Sequence, residues 1–222
     1  MGWMGMNGVQ KHKRNKLIFL IGGVFIPLFS FTFSNKGPYG DLVLVTFSQI
    51  GARYGAIELL ILWGIMTSSY YFFFLSYLLE ISGEDSVVLK ALLSITCMTL
   101  LITVFLPYAP TMFPITAQAH NYLAYVTCSS IVLLLLLFIL KLKNIEKKLF
   151  LKSIITFLCC ISILLFVLLY YGVSSLFQIV LTVTMCILMF LLLKYLETCK
   201  KIDIYKNLEK NIINNSIEKD IF

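Results

Sequence analysis

Apolar residues dominate six stretches of the chain, and short polar stretches separate them. The apolar stretches cover residues 17–33, 57–79, 87–106, 122–140, 151–171 and 173–196. A helix needs about 20 apolar residues to cross the roughly 30 Å hydrocarbon core of a bilayer, and 17 is the lower edge of that range. The pattern therefore predicts an all-α polytopic membrane protein, a helical bundle with six transmembrane helices.

The distribution of basic residues predicts the orientation of this bundle. Sixteen of the eighteen lysine and arginine residues flank the spans on one side, and only Lys36 and Arg53 lie on the other. Because basic residues concentrate in cytoplasmic loops, both termini are predicted to be cytoplasmic. Residues 1–16 then form a cytoplasmic basic N-terminus, 17–196 the transmembrane domain, and 197–222 a cytoplasmic tail.

Two segments allow alternatives. The first apolar stretch has the basic flank of a cleaved signal peptide, but it is longer than a usual signal core and no A-x-A site follows, which favours a retained helix. The tail alternates charged and apolar residues. It either solubilises the terminus, prolongs the sixth helix or lies on the membrane surface.

Composition agrees with a membrane location. The chain is 59% apolar and 13% charged with a mean hydropathy of +0.91, whereas about a quarter of an ordinary soluble protein is charged. The formal charge of the chain is +7, but its basic residues flank the spans and do not alternate with aromatic residues. No nucleic acid is therefore expected as a partner. The excess of lysine over arginine is typical of low-GC bacteria. The expected location is a bacterial cytoplasmic membrane; the expected partners are membrane lipids, with an unidentified membrane protein as a further candidate.

The outer loops differ in character. The first, residues 34–56, contains a turn sequence at 37–41, and the second, residues 107–121, carries three prolines and no charge. Those prolines predict an ordered, nonhelical cover over the bundle. The aromatic run at residues 70–74, with Tyr77, predicts a lipid-facing and interfacial belt.

Polar side chains gather at the predicted extracytoplasmic end. Such side chains are costly near a membrane, which makes their positions informative. The candidate ligand-binding residues are Asp41, Arg53, Glu58, Tyr108, Gln118, His120, Asn121 and Gln178. Arg53 could form an ion pair with Glu58 or Asp41, or bind an anionic head group through its guanidinium. Ser48 and His120 are the candidates for catalysis if the protein is an enzyme.

Helical spacing places some of these residues on two polar stripes. The stripes are His120, Ala124, Thr127 and Cys128 on the fourth span, and Ser174, Gln178 and Thr182 on the sixth. Residues at i, i+4 and i+7 or i+8 share one face of a helix. The stripes either face each other across a narrow polar cleft or serve as ordinary helix packing surfaces.

Several kinds of chemistry lack support in the sequence. A histidine-based metal site would need Asp41 or Glu58 to complete it, so no metal is predicted. Walker-type glycine loops, G-x-S-x-G and H-E-x-x-H are missing from the sequence, and no cofactor is predicted. The six cysteines lie in predicted spans or on the predicted cytoplasmic side, which implies no disulfide framework.

Two short motifs carry a family resemblance. Residues 46–51, Thr-Phe-Ser-Gln-Ile-Gly, and Phe113-Pro114 followed by His120 and Ala124 resemble the DUF998 and Frag1/DRAM/Sfk1-like group of six-helix membrane proteins. The resemblance implies a compact bundle with a polar mouth at the outer leaflet. Eukaryotic members of that group are linked to lipid remodelling and lipid distribution. The matching positions are Ser48, Gly51, Pro114 and His120.

Three functional hypotheses follow. The first is a protein that binds or senses a lipid or amphiphile at the extracytoplasmic polar cleft. The second is a membrane-embedded lipid-modifying enzyme with His120 as general base and Ser48 or water as nucleophile, which requires His120 within about 3 Å of its partner, directly or through one water. The third is a small transporter or transporter subunit, which the lack of charge at the centre of the spans makes the least favoured.

Overall fold

A computed structural model describes residues 8–37, 42–84 and 86–219. It describes the side chains of residues 13–37, 42–84 and 86–199. The described residues form helices and connecting turns, without a strand. The α-helices are α1 (Gly8–Leu20), α2 (Ile26–Ser34), α3 (Phe47–Arg53), α4 (Ile57–Ser82), α5 (Val87–Phe105), α6 (Pro114–Leu142), α7 (Lys147–Tyr171) and α8 (Ser175–Lys219).

Within the described residues, six helices are long and apolar enough to cross a membrane. They are Lys13–Ser34, Ile57–Ser82, Val87–Phe105, Pro114–Leu142, Lys147–Tyr171 and Ser175–Cys199. This confirms the predicted six-helix membrane bundle, while the cytoplasmic location of both termini stays a prediction. We call the end that carries Lys13, Lys141 and Lys194 the lysine-rich end, and the end that carries Thr46, His120 and Gln178 the loop end.

The first span changes its helical form partway along. Between α1 and α2 lies a π-helical turn, Ile21–Phe25, which contains Gly22 and Gly23. Gly22 is buried, and a Cβ atom added there would lie 2.0 Å from the hydroxyl of Tyr70 on α4. Glycine at this position therefore allows the first span to approach α4 closely.

The core has two parts. A large apolar cluster occupies most of the bundle, and a smaller cluster at the loop end surrounds Phe47 of α3. The Phe47 ring lies 4.9 Å from the ring of Phe33 and 5.1 Å, edge-on, from that of Trp63. Because Phe47 is fully buried, the short helix α3 is packed into the bundle and does not lie loosely over it.

The structure corrects two sequence predictions. Helix α6 begins at Pro114, so the second part of the loop predicted to be nonhelical, residues 114–121, is helical. The aromatic run is mostly core: Tyr70, Tyr71, Phe74 and Tyr77 are buried, and among the six aromatics only residues 72 and 73 are exposed. On the C-terminal side, α8 continues as one helix past the predicted span to Lys219.

Candidate functional site

Helix α3 places Ser48 inside the bundle. Thr46 and Gln49 form a capping box: the Thr46 hydroxyl accepts from the Gln49 backbone N–H at 3.2 Å, and the Gln49 side chain accepts from the Thr46 backbone N–H at 2.9 Å. This fixes the first turn of α3. Ser48 then lies on the buried side of the helix, next to the fully buried Phe47.

His120 of α6 bonds to Ser48. Its Nε2 atom lies 2.6 Å from the Ser48 Oγ, and its Nδ1 atom lies 3.1 Å from the backbone carbonyl oxygen of Leu106. A carbonyl oxygen only accepts, so in the neutral ring Nδ1 carries the proton and Nε2 accepts from the Ser48 hydroxyl. The imidazole thus has the tautomer that a general base needs, and both of its nitrogens have partners.

Gln178 connects this site to α8. Its side-chain oxygen accepts a hydrogen bond from the Phe47 backbone N–H at 2.7 Å. The Ser175 hydroxyl and backbone N–H both donate to the carbonyl oxygen of Val45, at 2.6 and 2.7 Å. The start of α8 therefore provides hydrogen-bond partners for the Phe47 backbone N–H, in the first turn of α3, and for the Val45 carbonyl just before it. The N–H groups in the first turn of a helix have no partner within that helix.

Two small adjoining cavities lie below the Ser48–His120 pair. The upper cavity, of about 70 Å³, touches both residues, and the lower, of about 50 Å³, extends towards Tyr71. Six lining residues belong to both: Trp63, Leu100, Thr127, Cys128, Leu181 and Thr182. We call the two cavities together the loop-end cleft.

Both predicted polar stripes reach this cleft. His120, Ala124, Thr127 and Cys128 line the upper cavity from α6, and Gln178 and Thr182 line it from α8. Ser174 is buried outside the lining. The stripes therefore face a common cavity, although they also pack within the bundle.

Two hydroxyl groups in the cleft have no hydrogen-bond partner. The Thr67 and Thr127 side chains are 1% and 6% exposed, and neither Oγ1 atom has a partner within the described part of the chain. Both residues line the lower cavity. A buried hydroxyl without a partner costs about 1–3 kcal/mol, so these two groups favour a polar occupant.

The other predicted binding residues do not join the cleft. Arg53, Glu58, Gln118 and Asn121 are exposed, and Asp41 lies outside the described residues, as does most of the turn predicted at 37–41. Within the described chain no ion pair joins Arg53 to Glu58.

Tyr108 is partly buried and lies next to the site. Its ring centroid is 5.4 Å from that of His120. Of the eight predicted ligand-binding residues, the structure therefore brings together His120, Gln178 and Tyr108.

Sequence reasoning missed several parts of the site. The Leu106 carbonyl that orients His120 belongs to a backbone group, which no side-chain pattern can indicate. Thr67 lies on α4, where it begins a run of three hydroxyl-bearing residues, 67–69, and nothing in the local pattern distinguishes its hydroxyl from the other two. The capping box at Thr46 and Gln49 was detectable, because a threonine followed three residues later by glutamine is a known helix start.

Comparison with protein-family models, with curated proteins and with solved structures finds no match for this chain. The resemblance to the DUF998 and Frag1/DRAM/Sfk1-like group therefore stays a prediction. Among the described residues, no three histidine, cysteine, aspartate or glutamate side chains come close enough to hold a metal ion. What can be stated from the structure is an integral membrane protein with a buried, hydroxyl-rich cleft at its loop end.

Proposed function

We propose that the protein binds the uncharged polar group of a membrane lipid or other amphiphile in the loop-end cleft. The observation that carries this proposal is the pair of buried hydroxyls, on Thr67 and Thr127, that have no partner in the described chain. Apolar packing would be cheaper at these positions unless a polar group is bound there. Ser48 and His120 would contact the same group from the upper cavity.

The residues that line the loop-end cleft determine which ligand groups can bind in it. Among the described residues, no lysine, arginine, aspartate or glutamate lines either cavity. A buried charge without an opposite charge is very costly, so a phosphate or carboxylate is disfavoured. A hydroxyl-bearing group fits, because the cleft offers both donors and acceptors. This moves the binding site away from Arg53, whose exposed side chain would have suited an anion.

The size of the cleft limits what enters it. A water molecule occupies about 30 Å³ in the liquid, so the upper cavity holds roughly two waters or a polar group of similar size. The acyl chains of a bound lipid would therefore remain in the bilayer. We expect a small neutral head group, such as that of a diacylglycerol, to be the part that is bound.

The test is the thermal stability of purified protein in detergent, with and without diacylglycerol. Diacylglycerol should stabilise the wild type, and Thr127→Val should weaken its binding roughly three- to tenfold because one hydrogen bond is lost. Thr99→Val is the matched control, since the Thr99 hydroxyl bonds to the Ile95 carbonyl of its own helix at 2.7 Å and does not line the cleft.

Two results would overturn the binding proposal. One is that diacylglycerol, monoacylglycerol and a neutral glycolipid all leave the unfolding temperature unchanged. The other is that Thr127→Val and Thr99→Val respond to the lipid as the wild type does.

The Ser48–His120 hydrogen bond favours a second candidate, a lipid-modifying enzyme. Its length of 2.6 Å satisfies the requirement for a nucleophile and its base, and the Leu106 carbonyl orients the ring as a third group would. In an acyl transfer, Ser48 Oγ would attack the ester carbonyl and pass its proton to Nε2. The leaving alcohol would take that proton, and water or a second alcohol would later accept the acyl group from Ser48.

A fluorophosphonate probe distinguishes this candidate from simple binding, because it labels only an activated serine. Labelling should require Ser48, fall by about 100-fold or more in His120→Gln, and persist in the control Ser30→Ala, whose hydroxyl bonds to Trp63. Labelling should also be lost at acid pH, since only the neutral imidazole accepts a proton. Labelling that survives Ser48→Ala at the wild-type rate would exclude the enzyme.

A further inference from the structure

A large apolar groove lies between the first span and α4, on the outside of the bundle. Its volume is about 510 Å³, within the range of about 300–1,000 Å³ that ligand sites usually have. Its lining is almost wholly apolar and includes Leu17, Ile21, Phe25, Met66, Tyr70 and Phe73. Leu17, Phe25 and Phe73 are more than half exposed, so the groove is open along its length.

The π-helical turn shapes this groove. The turn Ile21–Phe25 contributes Ile21 and Phe25 to the lining, while Gly22 packs against Tyr70 at the base. Tyr70 is 8% exposed and its ring meets Phe74 edge-on at 5.4 Å, so the base of the groove is held by the core. Such turns occur mostly as single irregularities in helices and often at functional sites.

Positive charge marks one end of the groove. Arg14 lines it, with its guanidinium 3.8 Å from the centre of the Tyr77 ring and a hydrogen bond to the Tyr77 hydroxyl. Lys13 and Lys16 are exposed on the same turns of α1.

Two acids, Glu80 and Glu197, also lie near Tyr77. Glu197 accepts a hydrogen bond from Asn15 and lies 3.8 Å from Lys194. The cationic side chains of this end still outnumber the two acids, so the groove ends beside an excess of positive charge.

The length of the groove matches one leaflet of a bilayer. From Met66 to Tyr77, α4 rises about 16 Å at 1.5 Å per residue. Half of a hydrocarbon core of roughly 30 Å is about 15 Å. An acyl chain lying in the groove would thus run from the lysine-rich surface, at Arg14, to about the middle of the membrane.

We propose that this groove binds one acyl chain of an anionic phospholipid from the leaflet at the lysine-rich end, with the lipid phosphate beside Arg14. Three features carry the proposal: an apolar groove of one leaflet's depth, a π-helical turn that shapes it, and cationic side chains at the surface end. This site is separate from the loop-end cleft and does not depend on the function proposed for that cleft. Anionic lipids are enriched in the cytoplasmic leaflet, which the lysine-rich end is predicted to face.

The test measures lipid retained by purified full-length protein, by native mass spectrometry and by thermal stability. The probes are phosphatidylglycerol, phosphatidylcholine with the same chains, and glycerol phosphate without chains. Wild-type protein should retain phosphatidylglycerol in preference to phosphatidylcholine, and glycerol phosphate should give no shift.

Two pairs of variants locate the site. Met66→Trp fills the groove and should abolish retention, while the control Ile65→Trp adds the same ring at an exposed neighbour outside it. Arg14→Gln should lower the preference for phosphatidylglycerol roughly tenfold, as expected for losing one charge-assisted contact, while Lys16→Gln should change it less.

Three outcomes would overturn the proposal. Equal retention of the lipid by Met66→Trp and Ile65→Trp would place the lipid elsewhere. An unchanged preference for phosphatidylglycerol in Arg14→Gln would show that Arg14 does not contact the lipid phosphate. A stable dimer that Met66→Trp disrupts, with no lipid retained, would mean that a second copy of the chain covers the groove.

Discussion

At the loop end, uncharged polar side chains are buried and bonded to one another or to the backbone, whereas at the lysine-rich end charged side chains gather beside an open apolar groove. Ser48, His120 and Gln178 make three such contacts at the loop end, of which the Ser48–His120 bond is fully buried and the other two are partly buried. At the lysine-rich end Arg14 bonds to the Tyr77 hydroxyl, and Glu197 accepts from Asn15 and lies beside Lys194. In the two proposals above, the neutral, closed cleft binds a small head group, and the charged, open groove binds an acyl chain with its phosphate.

The largest test of this comparison is which end faces the cytoplasm. A reporter fused after Lys36 or at Pro110 should be extracytoplasmic, and one fused after Lys148 or at Phe222 should be cytoplasmic, because the lysine-rich end should remain inside. The result is all or none for each fusion. An extracytoplasmic signal at Lys148 would invert the bundle and assign the groove to the other leaflet.

The next effect concerns the close contact at the base of the groove. Gly22→Ala should lower the free energy of unfolding by about 1–3 kcal/mol, because its Cβ would lie 2.0 Å from the Tyr70 hydroxyl and 2.1 Å from a ring carbon. Thermal unfolding in detergent measures it.

The neighbouring Gly23→Ala is the matched control. The three atoms nearest to its added Cβ all belong to the exposed Phe19 ring, at 3.0 Å or more, and this side chain can move. If both alanine variants unfold at the same temperature, the close approach of the first span to α4 is not required.

An effect of similar size separates the two glutamines predicted to bind a ligand. Gln178→Leu should cost about 1–3 kcal/mol, because the buried backbone N–H of Phe47 loses its acceptor. Gln118→Leu should cost much less, since Gln118 is exposed and reaches only the Tyr122 hydroxyl at 3.4 Å. Comparable losses in the two variants, measured by chemical or thermal denaturation, would show that the loop end is not held by Gln178.

The smallest effect should appear at Ser153. This residue of α7 is fully buried, and its hydroxyl has no partner within the described chain. Unlike Thr67 and Thr127 it lines neither cavity of the cleft, so Ser153→Ala should leave stability unchanged or raise it by up to about 1 kcal/mol. A clear loss of stability would mean that this hydroxyl is hydrogen-bonded in the membrane.

The sequence allowed the spans to be predicted because their hydrophobicity is a local property. The two wrong predictions, for the aromatic run and for the second outer loop, could have been avoided from local patterns as well. Tyr70, Phe74, Tyr77 and Leu78 fall at i, i+4, i+7 and i+8, the spacing of one helix face, and all four are buried. Pro114 was a signal for a helix start, since proline is favoured in the first turn.

The candidate site could be predicted only in part. Helical spacing correctly grouped His120 with Thr127 and Gln178 with Thr182, because each pair lies on one helix. The Ser48–His120 bond joins residues 72 positions apart, and the Leu106 carbonyl oxygen that accepts from His120 Nδ1 is a backbone group. Contacts of this kind depend on how the helices pack, which no local pattern records. The groove depends in the same way on the π-helical turn and its partner α4.

The bond between Phe47 and Gln178 has a consequence for biosynthesis. It joins residues 131 positions apart, and the backbone of residues 42–46 is bonded to the start of α8 as well. During synthesis, α3 and Ser48 therefore leave the ribosome long before the residues of α8 that support them. Since α8 follows the other five spans in the sequence, the loop end can close only after all five have been synthesised. Chains that stop after α7 should consequently insert five spans yet leave α3 without its anchor.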